Sequence, residues 1–315
     1  MDKADAAPHI LTGEAPPPAA VDWVHASDGV RLRLAVWAGT RATVWILPGR
    51  TEFIEKYEAI AGRLVAQGYA VVVVDWRTHG LSDRTVPDVA IGHVMDFDEF
   101  QRDLAAFMAA PAVQDLPAPR LMLAHSMGGC IGLRALVDGA AFDRAVFSAP
   151  MWGLPLSRLS RATVRVMLWA TDSFGLHRRF LPGHKATPYI SVTPFAQNEL
   201  TGDREQYHRF RDLVAAEPRL GLGGVSLGWL GAAQAEMAAL RAAPPPRLPA
   251  LCLVGTDETI VSIDAIRAGA ARLPAGRLVE YEDAKHEVLI ETPAIRDRVW
   301  AEIEDFLAAA GDSRA

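Results

Sequence analysis

This sequence has few cysteines and no excess of basic over acidic residues. Its 315 residues include two cysteines, Cys130 and Cys252, and both stand in apolar segments that we expect to be buried. Two separated cysteines provide neither a disulfide framework nor the ligand spacing of a metal site, and they favour a reducing compartment. The net charge of −6 argues against a nucleic-acid-binding protein, which usually carries a basic surface.

The sequence also lacks the hydrophobic segments that direct a chain into or across a membrane. No run reaches the roughly 18 consecutive apolar residues of a transmembrane helix. Residues 1–20 contain acidic residues and three consecutive prolines, without the basic start and apolar stretch of a signal peptide. We therefore expect a flexible N-terminal tail over residues 1–20 and a cytoplasmic location.

Short apolar runs that end at glycine, proline or aspartate predict the strands. The runs at residues 21–25 and 30–37 flank Ser27-Asp28-Gly29, a turn sequence typical of a β-hairpin. Further strands are predicted at residues 43–47, 69–74, 121–124, 145–148, 251–254 and 278–281. Helical stretches alternate with them, for example at residues 57–67, 97–110 and 131–137. This alternation predicts an α/β fold with a mainly parallel central sheet, helices on both faces and the hairpin as an antiparallel edge.

The alternation stops after Pro150. Residues 151–243 contain helical pieces but no clear strand, and they are too many for a structureless loop in a compact domain. We predict that they form a helical cap inserted into a core made of residues 21–150 and 244–315. The apolar stretch 164–170 within the cap could line an acyl pocket or touch a membrane surface, and a buried cap helix is an equally good interpretation.

The most informative motif lies at residues 124–129, with the sequence Ala-His-Ser-Met-Gly-Gly. It follows a predicted strand and precedes a helical stretch, which is the context of a nucleophile elbow. Such a turn presents a serine hydroxyl where a histidine can take its proton. Small residues two positions before and after the serine let the strand and helix backbones approach closely, and Ala124 and Gly128 meet this requirement. Ser126 is therefore the candidate nucleophile.

A base and an acid for this nucleophile follow it in the chain order serine, acid, histidine, which is the order in hydrolases that have a nucleophile elbow. His286 follows the last predicted strand and is the candidate base. Asp257 and Glu258 follow the predicted strand at residues 251–254. Either carboxylate could hold the histidine tautomer and stabilise the imidazolium, and the residues alone leave both open.

Acyl transfer also needs N–H donors for the oxyanion that forms on the substrate. The backbone N–H of Met127, directly after the nucleophile, is one candidate. The second is the N–H of Arg50, because Gly49 permits a sharp turn at the end of the strand at residues 43–47. The side chain of Arg50 could be structural or could contact an anionic headgroup, and the sequence leaves both interpretations open.

With these residues placed, residues 23–307 resemble the alpha/beta-hydrolase superfamily, and most closely its lysophospholipase L2 and monoacylglycerol lipase group. Residues 47–53 are similar to the His-Gly-x-x-Glu loop of the group, and residues 75–82 to its Asp-x-Arg-Gly-x-Gly-x-Ser segment. Residues 124–129 resemble its Gly-His-Ser-Met-Gly-Gly motif, and residues 285–287 its histidine motif. This chain departs from those motifs at Pro48, Thr78 and Ala124, which puts the shape of the oxyanion loop in doubt more than the reaction class.

The resemblance implies the function and favours one acid. The acid motif of the group has the pattern acid-x-Ile/Val-Val, which Glu258 fits and Asp257 does not, so Glu258 is preferred. The implied activity is hydrolysis of carboxylic esters by Ser-His-acid acyl transfer, with a small-molecule ester or lysolipid as substrate and no metal or organic cofactor. A transient contact of the cap with a membrane surface, and with it a peripheral location at the membrane, is a further expectation. The alternatives are a proline-iminopeptidase-like peptidase and a non-catalytic binding protein on a hydrolase scaffold.

Overall fold

A computed structural model describes residues 12–310, whose central element is an eight-stranded sheet. The strands are β1 (Ala20–His25), β2 (Arg31–Trp37), β3 (Thr43–Leu47), β4 (Ala70–Asp75), β5 (Arg120–His125), β6 (Arg144–Ser148), β7 (Ala250–Gly255) and β8 (Gly276–Tyr281). Their order across the sheet is β1-β2-β4-β3-β5-β6-β7-β8. The predicted hairpin is β1–β2, and β2 also pairs antiparallel with β4, while all pairs from β4 to β8 are parallel. The predicted fold class is confirmed.

The helices cover both faces of the sheet. They are α1 (Glu58–Ala66), α2 (Asp98–Ala109), α3 (Pro111–Gln114), α4 (Met127–Val137), α5 (Arg158–Phe174), α6 (Tyr189–Val192), α7 (Arg204–Ala216), α8 (Leu227–Ala242), α9 (Ile263–Arg272) and α10 (Pro293–Ala308). Residues of α2, α4, α8 and α9 join one apolar core, and residues of α1 and α10 join the core on the opposite face. Strands β3, β4 and β7 are buried along their whole length, which explains why they read as continuous apolar runs.

Residues 151–243, which we call the cap segment, connect β6 to β7. Within it the structure has the helices α5 to α8, and α8 begins where the hydroxyl of Ser226 accepts a hydrogen bond from the N–H of Trp229. The ends of the segment at residues 151 and 243 remain our proposal for the cap boundaries.

The start of the chain differs in part from the prediction of a flexible tail over residues 1–20. Residues 1–11 lie outside the described residues. From Thr12 onward the chain contacts the core: the N–H of Thr12 donates to Glu58 at 2.8 Å, and the indole N–H of Trp37 donates to the carbonyl of Pro16 at 2.8 Å. These hydrogen bonds hold residues that composition alone assigns to a tail.

A buried ion cluster supports the loop that follows β3. Arg33 on β2 is 0% exposed and binds the carboxylates of Asp75 and Glu55. The second carboxylate oxygen of Asp75 accepts the N–H of Ile54 at 2.9 Å. Because buried charges are tolerated when they are paired and hydrogen-bonded, this cluster holds the segment that leads from the candidate oxyanion loop into α1.

Candidate active site

Ser126 occupies a strained turn between β5 and α4. Its φ of 51° and ψ of −116° lie in a region that residues with side chains rarely adopt, at a cost of about 1–3 kcal/mol. Two hydrogen bonds hold the turn: the N–H of Ser126 donates to the carbonyl of Ser148 at 3.0 Å, and its carbonyl accepts the N–H of Met151 at 2.9 Å. This is the strand–turn–helix geometry that the motif predicts for a nucleophile elbow.

The small residues of the elbow are explained by close backbone contacts. A Cβ atom on Gly128 would lie 2.1 Å from the carbonyl oxygen of Leu47, so no side chain fits there. Ala124 is 0% exposed, and its methyl group is accommodated where the related motif has glycine. The departure at Ala124 therefore leaves the elbow intact.

His286 and Glu258 form a buried pair beside this turn. Nδ1 of His286 lies 2.5 Å from a carboxylate oxygen of Glu258. The other oxygen of Glu258 accepts the N–H groups of Ile260 at 2.5 Å and Val261 at 3.1 Å. Burial raises the pKa of Glu258, but the charge and hydrogen bond of His286 and these two N–H groups outweigh burial and lower the pKa overall. Glu258 is thus held as a carboxylate next to the imidazole.

Asp257, the alternative acid, lies elsewhere. Its side chain is exposed, and its backbone N–H donates to the carbonyl of Ala284 at 2.9 Å. Neighbouring residues on this turn point in different directions, and the structure brings Glu258, not Asp257, into contact with His286.

The two candidate oxyanion donors belong to segments that meet at the turn of Ser126. Met127 is the first residue of α4, so its N–H has no acceptor within the helix. The loop that carries Arg50 is held close by, since a Cβ atom on Gly49 would lie 3.0 Å from the Cβ of Ser126. The indole N–H of Trp76 donates to the carbonyl of Pro48 at 2.9 Å, which fixes the position where the related motif has histidine. Among residues 12–310 neither the N–H of Arg50 nor that of Met127 has a hydrogen-bond acceptor.

A buried charged cluster that the sequence analysis did not identify lies behind these groups. The ammonium of Lys56 binds the carboxylates of Glu52 and, at 2.5 Å, Glu287. Nε2 of His125 lies 3.5 Å from Glu287 and 3.7 Å from Glu52. Glu52 also accepts the N–H of Gly49, so the cluster reaches the oxyanion loop, the residue before the nucleophile and the residue after His286.

The charges in this cluster neutralise one another. Burial alone would lower the pKa of Lys56, but Glu287 and Glu52 outweigh it and raise that pKa. Burial would raise the pKa of Glu287, but Lys56 and His125 lower it well below its usual value. In the described part of the chain, Glu52, His125 and Glu287 also have ligand atoms within 4.8 Å of one another, as a metal site requires. The ammonium of Lys56 already supplies the positive charge there, so we assign no metal to this cluster.

Ser126 and His286 open into one large cavity of about 750 Å³. Core residues form its floor, and the cap segment forms most of its walls. The walls are mainly apolar, with side chains that include Leu154, Val164, Leu181, Ile190, Val214, Leu222 and Leu230. A cavity of this size is within the usual range for small-molecule sites.

The cap stretch at residues 164–170 divides between the cavity and the surface. Val164 lines the cavity, whereas Val166 and Trp169 are 65% and 66% exposed. The same helix ends with Phe174, which is 72% exposed. Helix α5 therefore contributes to the pocket and also presents an apolar outer surface.

No helix in residues 12–310 is long and apolar enough to span a membrane.

Comparison with known proteins identifies a family whose model matches most of this chain. The model of the family Hydrolase_4, described as serine aminopeptidase, S33, matches residues 38–293. The chain is 32% identical to lysophospholipase L2 of Escherichia coli (strain K12) over 273 residues, which cover 84% of this chain and 79% of that protein. It is 26% identical to a probable lysophospholipase L2 of Haemophilus influenzae, over 86% of this chain and 85% of that protein.

Solved structures share the fold. A soluble variant of monoglyceride lipase from Saccharomyces cerevisiae, in complex with a substrate analog, superimposes with a TM-score of 0.72 at 19% identity, covering 96% of this chain and 100% of that chain. A monoacylglycerol lipase of Paleococcus ferrophilus gives a TM-score of 0.66 at 18% identity, over 88% of this chain and 98% of that chain. At this level of identity the likeness concerns the fold.

Proposed function

We propose, from the premise that this chain belongs to the Hydrolase_4 family of alpha/beta hydrolases and is a carboxylic ester hydrolase, that Ser126, His286 and Glu258 hydrolyse single-chain lipid esters. The observation that supports these roles most directly is the buried pair of His286 and Glu258, 2.5 Å apart, since His286 lines the same cavity as the strained Ser126. The substrate class is supported by the relatives, which are named lysophospholipases and monoglyceride lipases.

The first step is attack of the Ser126 hydroxyl on the ester carbonyl. Because Nδ1 of His286 is bound to Glu258, Nε2 is the nitrogen that accepts the serine proton. Glu258 holds this tautomer and stabilises the imidazolium. The N–H groups of Arg50 and Met127 bind the oxyanion, and one such donor is worth roughly 3 kcal/mol of barrier lowering.

The first step ends when the imidazolium of His286 gives its proton to the departing alcohol, which leaves an acyl group on Ser126. The second step releases the fatty acid. A water molecule gives a proton to His286 and attacks the acyl carbonyl. Breakdown of the second tetrahedral intermediate frees the acid and returns the proton to Ser126, so the net reaction consumes one ester and one water.

An acyl chain suits the cavity. Its volume of about 750 Å³ and its apolar walls would bury a fatty-acyl chain and remove its surface from water, at about 0.8 kcal/mol for each buried CH₂. The exposed apolar side chains of α5 provide a surface that could contact the lipid phase from which such a substrate comes.

Peptidase activity is the second candidate, because the family model carries a serine aminopeptidase description. An aminopeptidase needs negative charge to bind the α-ammonium group of its substrate. Here Glu52 and Glu287 are neutralised by Lys56, and the charged group next to the elbow that lacks an ion-pair partner in the described residues is the cation Arg50. The charges beside the elbow therefore favour esters, while Glu199 is a carboxylate of the cavity lining in the cap segment.

The test is release of fatty acid from lysophosphatidylcholine, monoacylglycerol and short p-nitrophenyl esters, with amino-acid p-nitroanilides assayed in parallel. We expect turnover of the esters and none of the anilides. Cleavage of prolyl anilide without ester turnover would replace the proposal with the peptidase, and inactivity on both sets would favour a binding protein.

The acid can be tested by separate changes at the two neighbouring carboxylates. Glu258→Gln keeps the size of the side chain but removes the charge that stabilises the imidazolium, so we expect kcat to fall by about 10³–10⁴. Asp257→Asn is the matched control and should stay within about twofold of wild type, because surface changes away from a site have small effects. Ester kinetics of both variants decide the assignment, and a larger loss for Asp257→Asn would reverse it.

A further inference from the structure

Arg50 is an uncompensated cation inside the apolar cavity. Its Nη2 donates to the carbonyls of Gly223 and Gly224 at 2.8 and 2.6 Å, and its guanidinium lies over the ring of Trp229. Among residues 12–310 no carboxylate pairs with it, and its Nε has no hydrogen-bond partner. Burial lowers its pKa to about 10, so the side chain stays charged at neutral pH. A charge in such surroundings is costly unless an anion accompanies it.

A second donor stands next to this guanidinium. His184 packs against Gly224, since a Cβ atom added to Gly224 would lie 2.5 Å from the Cβ of His184. The carbonyl of Gly224 is one of the two that bind Arg50. Nδ1 of His184 accepts the N–H of Val225 at 3.1 Å, so the proton of the neutral ring is on Nε2. Burial and the charge of Arg50 both lower the pKa of His184, which keeps it neutral. Arg50 and His184 thus offer hydrogen-bond donors at the same cavity wall.

None of the carboxylates that line the cavity forms an ion pair with Arg50 among residues 12–310. Glu52 and Glu287 are paired with Lys56, and Glu199 is a carboxylate of the lining that accepts the hydroxyl of Thr259 at 3.1 Å. Lys185, adjacent to His184, is exposed and adds a further cation at the lining. The wall near Arg50 is therefore suited to an anion.

The chemistry of the site identifies the anion. The backbone N–H of Arg50 is the proposed oxyanion donor, so its side chain begins beside the proposed place of the ester carbonyl, and its guanidinium reaches the carbonyls of Gly223 and Gly224 in the cap segment. We propose that Arg50, with the Nε2–H of His184, binds the phosphate of a lysophospholipid. Arginine suits this role because hydrogen bonds from its permanently charged guanidinium to phosphate oxygens are charge-assisted and strong. The inference rests on the proposed ester hydrolysis, and it selects phosphate-bearing glycerol esters over monoacylglycerol.

The experiment compares octanoyl lysophosphatidate with monooctanoylglycerol, both below their micelle concentrations, since they differ only by the phosphate. The readout is the ratio of their kcat/KM values. Because both substrates form the same oxyanion, this ratio cancels any change in the backbone donor of Arg50. Wild type should prefer the phosphate ester, and Arg50→Gln should lower the ratio about tenfold or more.

The matched control is Arg84→Gln. Arg84 also binds a carbonyl of the cap segment, that of Arg219 at 2.6 Å, but it does not line the cavity. Loosening of the cap should therefore affect both variants, and only Arg50→Gln should change the ratio. A ratio that is the same in Arg50→Gln and Arg84→Gln would overturn the phosphate site. If the wild type hydrolysed none of the esters, this result would instead overturn the proposed function.

A measurement on the unaltered protein makes the test independent of variant folding. Glycerol 3-phosphate should inhibit p-nitrophenyl butyrate hydrolysis competitively at concentrations where glycerol and inorganic phosphate do not. Absence of this inhibition would refute the proposal. Equal inhibition by inorganic phosphate would also refute it as a headgroup site, because the site would then bind free phosphate.

Discussion

Replacing Ser126 with alanine is expected to lower kcat for ester hydrolysis by about 10⁴–10⁶, because removal of a serine nucleophile costs that much in comparable enzymes. The change deletes one oxygen atom in a side chain that is 8% exposed, and it leaves the backbone hydrogen bonds of the turn in place. The variant should therefore fold normally. Steady-state kinetics with p-nitrophenyl esters measure the loss, and circular dichroism checks the fold.

Ser173→Ala is a suitable control for this experiment. Ser173 lies on the exposed side of α5, and its hydroxyl donates to the carbonyl of Trp169 at 2.9 Å. We expect wild-type kinetics and full labelling by a fluorophosphonate, whereas Ser126→Ala should not be labelled. Ser126→Ala that retains more than a tenth of wild-type turnover would contradict the assignment of the nucleophile.

Replacing Lys56 with methionine is expected to lower the free energy of unfolding by about 3–5 kcal/mol, since removing one partner of a buried ion pair leaves uncompensated charge. The side chain of Lys56 is 4% exposed, and its ammonium binds both Glu52 and Glu287. Its loss would place two carboxylates next to each other with the imidazole of His125 beside them. Activity should fall as well, because Glu52 holds the N–H of Gly49 in the oxyanion loop. Urea titration measures the stability.

The control for Lys56 is Arg63→Met. Arg63 pairs with Glu304 at 2.5 Å, but its side chain is 39% exposed, and a surface pair is worth about 0–1 kcal/mol. A triple variant, Lys56→Met with Glu52→Gln and Glu287→Gln, should regain part of the stability because it removes the charges together. If Lys56→Met loses less than about 1 kcal/mol, as a surface pair would, the cluster does not have the electrostatic role assigned to it.

The strands and the nucleophile elbow could be predicted because local sequence determines them. Strand β4 is a run of valines that is buried on both faces, so its β-branched composition and its environment agree. The elbow needs a small residue at Gly128 for contact with Leu47, and that requirement is visible in the motif. The same holds for the position of His286 after the last strand.

The assignment of charged residues could not be predicted in this way. Glu52 and Lys56 are four residues apart, a spacing typical of a solvated pair on a helix, yet both are buried because Glu287 comes to them from the far end of the chain. Asp257 and Glu258 are adjacent carboxylates that the residues alone left open; the resemblance to the acid motif favoured Glu258, and the direction of the turn places Glu258 against His286. Two glycine carbonyls of the cap segment hold the side chain of Arg50 in position by hydrogen bonds.

The sequence by itself therefore determined the sheet, the elbow and the class of chemistry, since these depend on periodicity, on steric limits at single positions and on the order of residue types along the chain. Tertiary structure alone decided which charges are neutralised and which cation faces the cavity, and it brought Glu258, the carboxylate that the resemblance favoured, against the histidine. Burial and pairing are properties of residues far apart in the chain, and electrostatic energies depend on them more strongly than on residue type.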